Sequence, residues 1–181
     1  SIGVTLFHGQ AATVDDLLRQ ADLAMYQSKS AGRNALRFFD PQMQAVVSQR
    51  VQLDADLRTS LEQGHFRLHY QAQVDRHGRM TGAEALLRWE HPQRGTVLPG
   101  DFIPLAEETG FILPLGDWVL EAACLQLAEW AASPTTASLY LSVNVSAKQL
   151  QQPDFVEQVL QIVQRSGCNP SSLKLEITES M

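Results

Sequence analysis

The sequence predicts an α/β fold, because strand-like and helix-like segments alternate along most of the chain. Segments 139–145 and 173–178 carry apolar residues at every second position, which predicts strands. Segments 115–132 and 154–164 carry them at helical spacing. Parallel strands need a crossover connection, usually a helix, so this alternation predicts parallel strands with helices outside, as in a barrel or an open α/β sheet.

The first forty residues are expected to form a strand, a helix and a second strand. Apolar positions recur at helical spacing from Val14, Thr13 and Asp16 form a capping pattern, and Gly32 is a plausible stop. A polar helix with a narrow apolar stripe follows Pro41, which is typical of a connector. We therefore predict an N-terminal segment, a connector and a second domain, at residues 1–40, 41–64 and 65–181.

The second domain is expected to begin with a β-hairpin, since five residues that include a glycine join two strand-like segments. Helices and further strands follow in alternation. The predicted elements are strands 66–74, 80–89, 139–145 and 173–178, and helices 101–108, 115–132 and 154–164.

Composition excludes several functions. A net charge of −6 with dispersed lysines and arginines argues against a nucleic-acid polymer as partner, although a small anionic nucleotide met by metal ions stays compatible. No apolar run reaches the roughly 18 residues that cross a bilayer, so we expect a soluble segment without membrane contact. Cys124 and Cys168 show no metal-binding or disulfide spacing, which favours reduced thiols.

Strand periodicity brings polar residues to one face of the predicted sheet. Lys174 and Glu176 alternate with apolar residues in the last strand, and Asn144 does so in the strand before it. Glu84 lies in a third strand-like segment. Oxygen donors from three strands that converge would form a site for Mg²⁺, Mn²⁺ or Ca²⁺ rather than for a thiophilic metal. Taken singly, each residue is more typical of an ion pair or a satisfied buried amide.

Five motifs in this order and spacing resemble the EAL domain from about residue 51 to the end of the chain. They are Tyr-Gln at 70–71, Glu-Ala-Leu-Leu-Arg-Trp at 84–89, Phe-Ile-Pro-Leu-Ala-Glu-Glu-Thr-Gly at 102–110, Val-Asn-Val-Ser at 143–146 and Glu-Ile-Thr-Glu-Ser at 176–180. The resemblance implies a modified TIM barrel that hydrolyses cyclic di-GMP to linear pGpG.

The same resemblance assigns roles to individual residues. It makes Glu84, Asn144 and Glu176 ligands of two Mg²⁺ or Mn²⁺ ions, with Glu179 in a supporting position. It also implies four residues that line the nucleotide site, of which the arginine faces a phosphate: Gln71, Leu87, Arg88 and Pro104.

Residues 21–34 resemble the end of a GGDEF domain, the diguanylate cyclase fold. The resemblance implies that Lys29 and Arg33 contact GTP phosphates, whereas basic residues near a helix end also interact favourably with the helix dipole. Whether the cyclase half is active or only senses GTP stays open at this level.

The leading interpretation is a cytoplasmic phosphodiesterase in the whole protein, with a homodimer through the EAL domain as a further option. The family's downstream Asp-Asp pair and lysine do not lie within residues 1–181, so we expect this chain alone to lack hydrolytic activity. The alternatives are an inactive domain that senses cyclic di-GMP and a half barrel that serves as an association surface.

Overall fold

The computed structural model describes residues 1–8, 12–30 and 32–178. The chain divides into two compact units, Ser1–Leu53 and Asp54–Met181.

The first unit has the predicted strand, helix and strand, which are β1 (Ile2–Val4), α1 (Val14–Ser30) and β2 (Leu36–Phe38). The two strands pair in parallel. The predicted cap of α1 is confirmed, since the Asp16 backbone N–H donates to Thr13 Oγ1 at 3.2 Å and the Thr13 hydroxyl donates to the Asp16 carboxylate at 2.7 Å. The Thr13 hydroxyl thereby satisfies the Asp16 backbone N–H, which the first helical turn would leave unpaired.

The polar helix after this unit is α2 (Pro41–Glu62). Asp40 precedes it and accepts a hydrogen bond from the Gln42 backbone N–H at 2.8 Å, while Gly64, with a φ of 68°, follows its end. The boundary between the compact units falls within the helix, between Leu53 and Asp54. The assignment of residues 41–64 to a connector stays a prediction.

The second unit is built on a five-stranded sheet. Four strands follow the order β3-β4-β6-β7, and the short β5 pairs with β4. The β3–β4 pair is the predicted antiparallel hairpin, whereas β4–β6 and β6–β7 are parallel. The strands are β3 (Phe66–Val74), β4 (Met80–His91), β5 (Gly95–Val97), β6 (Tyr140–Ser146) and β7 (Leu173–Thr178).

Four helices connect or flank these strands, and three of them were predicted. The additional helix, α5, has only four residues, too few to show an apolar period. A 3₁₀ turn at Pro170–Ser172 leads into β7. The helices are α3 (Pro99–Thr109), α4 (Ile112–Ala131), α5 (Ala147–Leu150) and α6 (Phe155–Ser166).

The main hydrophobic core lies between the sheet and helices α4 and α6. Alternate residues of β4 and β6 pack against one side of each helix, as period-two and helical patterns require. The opposite face of the sheet therefore carries the polar residues of these strands. The core residues contributed by strands are Ala83, Ala85, Leu141, Val143 and Val145, and those contributed by helices include Leu120, Ala123, Leu127, Phe155 and Ile162.

A second cluster fixes the end of β4. Trp89 is fully buried, and its ring lies 5.8 Å from that of Phe66 and 5.1 Å from that of His91. His91 Nδ1 accepts two backbone N–H bonds, from Gln93 and Arg94, at 3.1 and 3.2 Å. This geometry selects the neutral tautomer protonated on Nε2, which lies 3.1 Å from the Asp56 carboxylate. The end of β4 is thereby attached to α2.

Both cysteines belong to the main core. Cys124 on α4 and Cys168 before β7 are buried free thiols. Burial, followed by the neighbouring Cys168, raises the pKa of Cys124 to about 12. A neutral buried thiol is neither a good nucleophile nor a ready metal ligand. Both thiols are free, as the sequence predicted.

No helix in the described ranges combines the length and the apolarity that a membrane crossing requires.

Gly82 is a sensitive point of the sheet, because a Cβ there would lie 2.6 Å from the Tyr140 ring and from its backbone oxygen. We expect Gly82→Ala to lower the free energy of unfolding by about 2 kcal/mol, as overpacking of a closed contact does. Urea denaturation measures the change. Gly100→Ala is the control, since nothing lies within 4 Å of a Cβ at that position; equal stabilities of the two variants would contradict this packing.

Candidate functional site

The candidate site forms where β4 and β6 separate. Their parallel pairing runs from Gly82 and Tyr140 to Ala85 and Val143, yet β4 continues to His91 and β6 to Ser146. A cavity of about 430 Å³ opens beside the separated strand ends. These are the carboxyl ends of parallel strands, where α/β proteins commonly bind ligands.

The cavity is mainly apolar with an amide at its edge. Leu87 and Pro104, both predicted to line a nucleotide site, contact it together with Asn144. The wall comes from β4, α3, α4 and the β6–α5 junction. Its apolar members include Leu86, Ile103, Ile112, Leu115 and Val119, and its polar members include Glu107, Ser146 and Gln149.

The sheet face opposite α4 and α6 holds the predicted ligands, and we call it the polar face. Strand register places residues on it in rows that cross the sheet. One row joins Gln71 to Glu84, Ser142 and Lys174. Asn144 lies one step further along β6 on this face, and its Cα partner on β7 is Glu176.

Glu84 and Asn144 are in direct contact. The Asn144 Nδ2 donates to Glu84 Oε1 at 2.7 Å, although the residues are 60 positions apart in sequence. This orientation leaves the Asn144 carbonyl oxygen as the atom that can bind a cation. Glu176 is the register partner of Asn144 on the next strand, about 4.8 Å away across the sheet. The structure thus brings the three predicted ligands onto adjacent strands.

The chemistry of these donors fits a hard divalent cation. Two carboxylates and one amide supply only oxygen atoms, and Mg²⁺ or Mn²⁺ accepts such ligands while keeping water or phosphate in its remaining positions. In the described part of the chain, His, Cys, Asp and Glu form no cluster of three that could hold a metal ion. The predicted donor set differs from such a cluster, because its third member is the amide of Asn144.

Arg88 and Leu87 lie on opposite faces of β4. Leu87 reaches the cavity, whereas Arg88 shares its face with Glu84 and donates from Nη1 to the Leu87 carbonyl at 2.9 Å. Gln71 is also exposed on the polar face, opposite Glu84. The predicted nucleotide contacts are thus divided between the cavity and the polar face.

Tyr140 and Lys174 form a pair on the polar face that the sequence did not indicate. The Lys174 ammonium lies 3.0 Å from the centre of the Tyr140 ring. The Thr81 hydroxyl donates to the Tyr140 phenol at 3.5 Å and, with the lysine, holds the pKa of that phenol below its usual range. Because register aligns Lys174 with Glu84 through Ser142, a positive charge stands in the row of a predicted ligand.

Helix α5 connects the site to α3. Lys148 Nζ donates to the Glu107 carbonyl at 2.6 Å, close to the C-terminal end of the helix that carries Pro104. A cation at this position also faces the negative end of the α3 dipole. Ser146-Ala147-Lys148-Gln149, a serine with a glutamine three residues later, is the sequence signal that could have located α5.

Three predicted site residues are not part of the site as described. Glu179 falls outside the described residues. Lys29 occupies the last turn of α1 in the first unit, where its positive charge interacts favourably with the helix dipole. Arg33 follows with a φ of 63°.

Comparison with known families decides the classification. Residues 54–181 match the EAL domain family, and this range contains the whole candidate site. The chain belongs to the EAL domain family. The chain is 45% identical, over 99% of its length, to the bifunctional diguanylate cyclase/cyclic di-GMP phosphodiesterase MucR of Pseudomonas aeruginosa. It is 37% identical, also over 99%, to the cyclic di-GMP phosphodiesterase PdeR of Escherichia coli.

Solved EAL structures share the fold. The MucR phosphodiesterase in complex with c-di-GMP superimposes with a TM-score of 0.68 at 46% identity, covering 71% of this chain and 52% of that one. The FimX EAL domain of Pseudomonas aeruginosa, bound to c-di-GMP, gives 0.58 at 29% identity, covering 69% and 49%. The chain spans 26% of MucR and 27% of PdeR. The predicted barrel-like α/β fold is confirmed.

The Lys148 contact gives a prediction for this EAL domain. Lys148→Met keeps most of the side-chain stem but removes the donor to Glu107, so we expect a loss of about 1 kcal/mol in the free energy of unfolding. Chemical denaturation measures it. Lys148→Arg retains a cationic donor and should stay close to the original stability; an equal loss in both variants would show that the ammonium contact is not the cause.

Proposed function

We propose that the protein hydrolyses one phosphodiester bond of cyclic di-GMP and releases linear pGpG. The observation that carries this proposal is the 2.7 Å contact between Glu84 and Asn144, with Glu176 as the next residue across the sheet. An apolar pocket alone would serve a binding module equally well. A module that only binds the nucleotide has no chemical need for three oxygen donors on adjacent strands. The named activities of MucR and PdeR support the same reaction.

Glu84, Asn144 and Glu176 are the residues that would hold Mg²⁺ or Mn²⁺. Two such ions, when bound, would activate a water molecule and neutralise charge on the phosphoryl oxygens. Glu84 and Asn144 preorganise one another before any ion arrives, because their hydrogen bond fixes both side chains. Preformed ligand geometry lowers the cost of ordering these groups when the substrate binds.

The remaining residues bind and orient the dinucleotide. Arg88 on the polar face offers a guanidinium, which can bind a phosphate through two parallel hydrogen bonds. The cavity bounded by Leu87 and Pro104 offers an apolar slot for a flat base, and its volume falls within the usual range for small-molecule sites. Gln71 can bind polar groups of the ligand on the polar face. Charged and apolar parts of the ligand therefore meet separate surfaces.

The first forty residues are proposed to be the end of a GGDEF domain. The similarity to the bifunctional protein MucR extends over 99% of the chain and so includes the strand, helix and strand of the first unit. In that setting Lys29 and Arg33 would lie near GTP phosphates. A protein that acts on an intracellular messenger would work in the cytoplasm.

Glu84→Gln tests the metal-ligand role with little change of shape. In the full-length protein we expect the cyclic di-GMP turnover rate to fall by more than about 100-fold, beyond the effect typical of residues that only support a ligand. Chromatography of pGpG formation measures it. Glu90→Gln is the matched control, because Glu90 lies on the same strand and is half exposed beside Arg67; it should keep full activity. Normal turnover by Glu84→Gln would reject the assignment.

Metal removal separates the enzyme from a sensor module. For an enzyme, EDTA should abolish pGpG formation and added Mg²⁺ or Mn²⁺ should restore it, since the divalent ions are what activate the attacking water in the proposed reaction. A sensor would bind cyclic di-GMP equally with and without EDTA and would form no product. Calorimetric binding and product analysis on the same sample distinguish these outcomes.

A further inference from the structure

Gln149 is a buried polar residue that none of the functional roles above uses. Its side-chain oxygen accepts the Ser146 backbone N–H at 3.0 Å and the Ser146 hydroxyl at 3.1 Å. The Gln149 backbone N–H donates to Ser146 Oγ at 3.3 Å, which completes a reciprocal cap. Gln149 is only 5% exposed, so these bonds satisfy polar groups that are largely withdrawn from bulk solvent.

Gly116 on α4 makes room for this glutamine. A Cβ at Gly116 would lie 2.6 Å from Gln149 Cδ and would overlap its amide nitrogen. Alanine would favour the helix by about 1 kcal/mol, so packing rather than helix propensity explains glycine at this position. The flexible end of a long side chain can usually move aside, but here the carboxamide is buried and hydrogen bonded to Ser146.

The contact lies next to the point where β6 leaves β4. The last residue of β6 that pairs with β4 is Val143, and Asn144 is the first residue beyond that pairing. Ser146 ends the strand two residues later, and the Gln149 carboxamide binds its backbone N–H. Displacement of Gln149 would leave that buried N–H without its partner and allow the strand end to shift.

We propose that Gly116 and Gln149 are positioning residues that hold the end of β6 and keep the Asn144 amide against Glu84. The inference rests on the proposed metal site and deepens it, because it names residues away from the ligands that determine their geometry. Neither residue is one of the predicted ligands. Residues that orient a ligand typically change metal affinity by about 10–100-fold when altered.

Gly116→Ala in the full-length protein is the test, with Gly100→Ala as the matched control. Both glycines line the cavity and lie in helices, but only Gly116 faces a side chain. We expect Gly116→Ala to weaken Mn²⁺ binding about tenfold, measured by electron paramagnetic resonance titration, and Gly100→Ala to leave it within twofold. A crystal structure of metal-free Gly116→Ala should show the Asn144–Glu84 contact lengthened beyond hydrogen-bond range.

Gln149→Ala keeps the proposal testable if Gly116→Ala does not fold. This variant removes the cap without adding an atom, and we expect the same tenfold loss of Mn²⁺ affinity. In the Gln149→Ala background the Gly116→Ala change should cause no further loss, because the colliding side chain is gone. Lower thermal stability with unchanged Mn²⁺ affinity and an unchanged Asn144–Glu84 distance would overturn the inference.

Failure of the metal site itself gives a different result. If the unaltered protein binds no Mn²⁺, the proposed metal-dependent function is rejected. The Asn144–Glu84 distance in the metal-free variants still decides whether Gly116 and Gln149 position Asn144.

Discussion

The separation of β4 from β6 is the constraint on which the site depends. Where the two strands pair, their side chains pack into the core on one face of the sheet and contact the side chains of neighbouring strands on the other face. The pairing ends at Ala85 and Val143, and the residues that follow in the two strands are no longer paired with each other. That separation creates the cavity and leaves Asn144 at its edge, next to Glu84. The proposed metal site and the proposed base slot therefore both follow from one local change in the sheet.

A strand end released on one side needs other support, and the residues after β6 provide it. Ser146 is capped by Gln149, and Lys148 reaches the C-terminal end of α3. The far end of β4 is held in a comparable way, by the buried Trp89 cluster and by the His91 contact to Asp56. These attachments on both sides of the opening would keep the proposed ligands preorganised for a compact dication.

Much of this was predictable from the sequence, for identifiable reasons. Period-two strands and helical stripes predicted the alternating elements, and strand parity placed Glu84, Asn144 and Glu176 on one face. Parity cannot say where two strands stop pairing, so the cavity could not be predicted from it. Helix α5 was too short for a periodic signal. The proposed role of Gly116 depends on Gln149, 33 positions further along the chain, and that of Lys174 depends on Tyr140, 34 positions earlier. No local sequence pattern indicates contacts over such separations.

The low reactivity expected of the two buried thiols has a practical consequence. Cys124 and Cys168 are enclosed by the packing of α4, α6 and β6, and the Cys124 sulfur stays protonated at neutral pH. A single cysteine introduced at an exposed position such as Leu98 or Leu150 would then be the preferred target of a maleimide-linked spin or fluorescent probe. With one such cysteine at each of these two positions, the distance between two probes could be followed in solution without first deleting the native sulfhydryls.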